Sequence, residues 1–125
     1  MNENEISYDI RGAAFKVHTT LGPGLLESVY EIALAHELKK MGYEVKSQVG
    51  LPVVYDDIKL EMGYRIDLLI NDLVIIEIKS VDALADVHHK QLLTYLKLSG
   101  KKLGLLINFN VSSLKESIIR IVNNL

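Results

Sequence analysis

The stretch YRIDLLINDLVIIEIKS, residues 64–80, decides how the rest of the chain is read. Two apolar runs, rich in Ile, Leu and Val, meet at Asn71-Asp72, a pair that reaches positive φ readily and marks a hairpin. Each run carries charge where a buried strand has none. Asp67 interrupts the first, and Glu77 and Lys79 interrupt the second. Strand side chains alternate between faces, so Glu77 and Lys79 share one face while Val74, Ile76 and Ile78 take the other. Whether Asp67 joins them is a question of register. Opposed residues of an antiparallel pair point the same way, and their numbers add to a constant. A two-residue loop at Asn71-Asp72 makes that sum 143 and turns Asp67 away from Glu77. A three-residue loop or a bulge makes the sum even and gathers Asp67, Glu77 and Lys79. The even register is expected, because otherwise Asp67 has no obvious partner, and bulges are common beside active sites.

Outward from the hairpin, helical and strand periodicities alternate. Residues 5–20 carry a helical stripe of Ile6, Ile10, Ala13, Ala14 and Val17. LGPG, residues 21–24, breaks that helix, and a second runs from about Leu25 to Met41 with Gly42 as its stop. Strands follow from Tyr43 to Ser80, with turns expected at Gly50-Leu51-Pro52 and Asp56-Asp57. A third helix is expected over 86–99, a buried strand over 103–109 and a closing helix over 113–123. The order α-α-β-β-β-β-α-β-α reads as an α/β chain with a mixed sheet covered by helices.

Composition bounds the function. The 125 residues suit one domain, and 49% apolar with 24% charged residues is ordinary for a globular chain. Fourteen basic against sixteen acidic side chains leave a net charge of −2, so nucleic-acid binding would need a local basic patch. Lys97, Lys101 and Lys102, with Lys90, are the candidates. Absence of cysteine excludes disulfides, thiolate nucleophiles and Cys-based zinc sites. The start, MNENEISYDI, has no signal-peptide pattern, and no apolar stretch reaches membrane-spanning length, so a cytoplasmic protein with no membrane partner is expected.

Two close carboxylates repel unless a proton or cation intervenes. A hard divalent cation such as magnesium favours carboxylate and carbonyl oxygens and lowers the pKa of a bound water. Taken alone, the D…E-x-K pattern is better read as an ion network on an exposed sheet face, since three charged residues arise readily by chance. Two further stretches weigh against that. In GLLESVY, residues 24–30, Glu27 and Tyr30 lie on one helix face, with Tyr30 in the inward stripe. In QLLTY, residues 91–95, Gln91 and Tyr95 share a face one turn apart. Arg65 falls on the face of Asp67 and either pairs with it or contacts phosphate. His88 and His89 diverge by about 100° on a helix and do not chelate together. LGPG lacks the Lys-Ser/Thr ending of a phosphate-binding loop.

In this order and spacing, the early helical Glu, the Asp, the E-x-K strand and the Q-x-x-x-Y helix resemble the PD-(D/E)XK nuclease superfamily, in its RecB-like branch. Gly24, Glu27 and Tyr30 further resemble the small prokaryotic GxxExxY group. One departure is that no Pro precedes Asp67. The resemblance implies a restriction-endonuclease-like fold, a central mixed sheet flanked by helices, and hydrolysis of phosphodiester bonds in nucleic acid, with DNA favoured. It implies Mg2+ or Mn2+ held by Asp67, Glu77 and the carbonyl of Ile78, with Glu27 approaching directly or through water. Lys79 would position or help deprotonate the attacking water. Gln91 and Tyr95 would orient Lys79 or contact the nucleic-acid backbone, and Tyr30 and Arg65 would face substrate. The alternative is a catalytically silent nuclease-fold module acting through a protein or nucleic-acid partner. Small size and near-neutral charge favour that alternative or a homo-oligomer.

Overall fold

The computed structural model describes residues 2–125, except for the side chains of Glu61 and Met62. Helix α1, Glu3–Leu21, is capped by the Asn2 side chain and buries Ile6, Ile10, Ala13, Ala14 and Val17, the stripe its spacing predicts. Its end falls at Gly22, whose φ of 71° suits glycine best and whose N–H returns to the His18 carbonyl at 2.8 Å. Helix α2, Glu27–Lys40, follows, with Lys39 and Lys40 in its last turn.

The sheet holds β1 (Val45–Tyr55), β2 (Ile58–Ile70), β3 (Val74–Lys79), β4 (Leu103–Asn108) and β5 (Ile118–Val122), in that spatial order. Neighbours pair antiparallel except β3 and β4, which run parallel. Their crossover is α3, Asp86–Ser99. Helices α1 and α2 cover one face through a core that includes Tyr30, Leu34, Leu68, Ile76, Ile78 and Phe109. Helix α3 covers the other through Leu92, Tyr95 and Leu96, packed on Leu69, Ile75 and Leu106. The result is a mixed sheet between helical layers, as expected.

Two expectations fail. Residues 113–123 form no helix; Ile118–Val122 is the edge strand β5. Leu114, Ile118 and Val122 fit a helical stripe, but four β-branched residues in five favour a strand. Ile118 enters the α1–α2 core, while Ile119 and Ile121 pack on the α3 side, a period of two. Gly50-Leu51-Pro52 is not a turn either. It lies inside β1, where the register slips between Leu51 and Val53. A bulge on an edge strand accommodates Pro52, which has no N–H to pair.

Candidate active site

The hairpin register is the even one. Leu68 opposes Ile76, Leu69 opposes Ile75 and Ile70 opposes Val74, so partner numbers add to 144. A three-residue loop makes this possible, with Asn71 and Asp72 at φ 51° and 57°. Asn71 is also stitched to Glu44 by bonds of 2.9 Å in both directions.

One step further, Asp67 would oppose Glu77, and there the ladder stops. Side chains replace the missing bonds. The Asp67 N–H donates to Glu77 Oε1 at 3.1 Å, and the Ile78 N–H donates to Asp67 Oδ2 at 2.8 Å. Each carboxylate therefore accepts an amide of the opposite strand. On its other side, β2 is irregular at the same place. The β1–β2 register skips Gln48 and Asp67, and Gln48 has a φ of 53°. Across this point the faces exchange: Val45, Leu68 and Ile70 pack toward α1 and α2, whereas Val49, Leu51 and Ile66 pack toward α3. Asp67 sits where the ribbon turns over.

Other elements close around it. Gln48 Nε2 donates to Glu31 Oε1 at 2.7 Å and reaches Asp67 Oδ1 at 3.5 Å. Glu27, four residues before Glu31 on α2, accepts the Ser80 N–H at 3.1 Å, and the Ser80 hydroxyl donates to the Leu25 carbonyl at 2.7 Å. From β4, the buried Asn108 holds Val81 through its N–H at 3.1 Å and its carbonyl at 3.0 Å. The chain just beyond Lys79 is thus fixed from two sides.

Burial and like charge set the electrostatics. Glu77 is 5% exposed. Burial first, then the charge of Asp67, push its carboxyl up to about 8, against the pull of the Asp67 amide and Lys79. Burial likewise raises Asp67, opposed by the Ile78 amide and Lys79. Glu31 is raised by burial, with Gln48 opposing. Burial, then the charges of Glu77 and Asp67, push the Tyr95 hydroxyl up to about 12, so it stays a donor. Its ring lies 5.2 Å from that of Tyr64.

This donor set fits a hard divalent cation. The buried Glu77 and the half-buried Asp67 face each other, and burial with like charge holds the Glu77 carboxyl above the ordinary carboxylate range. The Ile78 carbonyl leaves its strand on the same edge as the amide bound to Asp67. Among the described residues, no three His, Asp or Glu side chains are arranged to hold a metal ion.

Several expected contacts are absent or differ. Tyr30 cannot touch substrate. It is fully buried, stacks on Phe109 at 4.5 Å, donates to the Gly22 carbonyl at 2.6 Å and accepts the Leu25 N–H at 3.1 Å. It locks the turn before α2. Among the described residues, Gln91 is half-buried and bonds to neither Lys79 nor Tyr95, and Arg65 forms no ion pair with Asp67. Lys101 and Lys102 precede β4 at its Leu103 end, which lies beside Val74, while Glu77 and Lys79 lie toward the other end of β3. Lys101 pairs with Asp72 at 3.3 Å. Those lysines rim the wrong end of the sheet. His88 and His89 instead bracket the start of α3, accepting the Ala85 N–H at 3.0 Å and meeting its carbonyl at 3.2 Å.

Glu31, Gln48 and Tyr64 join the cluster without having been expected. Glu31 had a signal, since it stands one helical turn after Glu27. Gln48 and Tyr64 had none, because a ribbon that exchanges its faces defeats strand alternation.

A family model described as the PD-(D/E)XK nuclease superfamily matches residues 4–121. The chain belongs to that superfamily. Its mixed sheet between helices is consistent with the restriction-endonuclease-like fold of PD-(D/E)XK nucleases, and membership marks the chain as nuclease-like. No curated protein and no solved structure matches it. No helix among the described residues is long and apolar enough to cross a membrane.

Proposed function

We propose that this chain is a nuclease of the GxxExxY group, dependent on Mg2+ or Mn2+, that hydrolyses phosphodiester bonds in DNA. The observation that carries this reading is the facing of Asp67 and Glu77 where β2 parts from β3, with Lys79 one strand period beyond Glu77. Asp67, Glu77 and the Ile78 carbonyl would hold the metal, with Glu27 and Glu31 at its margin. A divalent ion bound there supplies a more acidic water and neutralises charge developing on phosphate. Lys79, held by the Phe109 N–H on its carbonyl at 2.9 Å, orients the attacking water in line with the leaving oxygen. Tyr95 keeps its proton and donates to a phosphate oxygen. Gln91, one turn earlier on α3 and half-buried, would contact the backbone of bound nucleic acid.

Incubation of purified protein with single- and double-stranded DNA and RNA, with Mg2+ or Mn2+ and with EDTA, tests this. Metal-dependent cleavage of DNA is expected, reduced at least about 100-fold in Asp67→Asn and Lys79→Ala. Equal cleavage by the variants sinks the proposal. Nucleic-acid binding without cleavage under any metal assigns the chain to the catalytically silent class instead.

A further inference from the structure

Beyond the site, β1 and β2 continue alone. Strand β3 pairs with β2 only over Leu68–Ile70, whereas β1 and β2 stay paired out to Tyr55 and Ile58. They project as a two-stranded arm. On this arm lies a cleft of about 680 Å³, lined by Gly50, Pro52, Lys59, Gly63, Tyr64 and Arg65 among other described residues. Lys59 and Arg65 are exposed, and neither pairs with an acid among the described residues. Lys59 and Arg65 thus put positive charge in the cleft of a chain whose net charge is −2, with Asp56 and Asp57 at the turn that ends the arm. The cleft floor is backbone. A Cβ on Gly63 would stand 1.8 Å from the Leu51 carbonyl oxygen, so the two strands approach there as only glycine permits. Tyr64 joins cleft to site. It is 45% exposed, and its ring leans on Tyr95, whose hydroxyl feels the charges of Glu77 and Asp67.

We infer that this arm is a track for a single strand of nucleic acid running to or from the carboxylate pair. The inference rests on the nuclease reading and adds the form of the substrate. Phosphates match Lys59 and Arg65, and the open ring of Tyr64 offers a stacking face to an unpaired base. A duplex hides its base faces and gains nothing from that ring.

Fluorescence anisotropy in EDTA, which prevents cleavage, tests it with a labelled oligothymidylate of about 12 nucleotides and a duplex of equal length. The single strand is expected to bind about tenfold more tightly than the duplex. Lys59→Ala and Arg65→Ala each weaken single-strand binding several-fold and lower the slope of log Kd against log salt by about 0.7. Tyr64→Leu weakens it about tenfold and leaves that slope unchanged. The inference is overturned by absent single-strand binding, by parental affinity in all three variants, or by duplex binding as tight and indifferent to Tyr64. Cleavage is read separately. Parental cleavage with no effect of the arm variants sinks the arm alone, whereas arm-dependent binding with no cleavage in any metal sinks the nuclease reading.

Discussion

Glu77 is where chemistry and stability pull in opposite directions. Its carboxyl, pushed up to about 8, is costly to ionise in the metal-free fold. Glu77→Gln keeps an oxygen for the Asp67 amide and removes the buried charge. It is expected to raise metal-free stability at pH 8.5 by about 1–3 kcal/mol in denaturant unfolding while abolishing cleavage. A destabilised Gln variant would mean that the carboxylate has a counter-charge not evident in this geometry. Tyr30 is the opposite case. Tyr30→Phe removes the bonds to Gly22 and Leu25 and should cost about 1–2 kcal/mol in the same assay, with cleavage per folded molecule retained. Asp67, Glu77 and Lys79 were legible in the sequence because charge in an apolar strand is conspicuous. The burial of Tyr30 was legible as part of a helical stripe, yet the motif suggested a contact with substrate that a fully buried ring cannot make.

The elements were readable where one periodicity dominated, as in α1, α3 and β3. They were misread where two periodicities overlapped, as in Ile118–Val122, or where a strand held a breaker, as at Pro52. The β1–β2 ribbon is the extreme case, since its turnover at Gln48 and Asp67 depends on backbone that no local pattern announces. Gly63→Ala tests how that ribbon is built. The added methyl collides with the Leu51 carbonyl and should splay the arm. Amide hydrogen exchange across residues 49–66 is expected to accelerate at least about tenfold while β3 and β4 keep their protection. Unchanged exchange in the arm would show that the close approach there is not required.

Across the whole molecule, the raised acids tie folding to pH and to metal. With Glu77 raised, the folded chain keeps a proton that the unfolded chain gives up, from the ordinary carboxylate range to about 8. Stability of the metal-free protein is therefore greatest on the acid side of that window, falls as pH rises through it, and levels off above. The loss is on the order of a few kcal/mol, with Asp67 raised in the same sense. Thermal unfolding in EDTA should show a lower midpoint at pH 8.5 than at pH 5. Saturating Mg2+ should restore more of it at pH 8.5, where it need not displace a proton. A midpoint that rises over this window contradicts the burial-driven shifts. The turn at Asn71–Leu73 carries a different kind of constraint. Because partner numbers must add to an even total, the carboxylate pair is guarded by parity, much as a reading frame is guarded by threes. A turn one residue shorter that carried its register with it would present an intact set of acids to opposite sides of the sheet. Length changes in this loop that keep the site would therefore come in twos, a signature to seek among loop-length variants selected for cleavage.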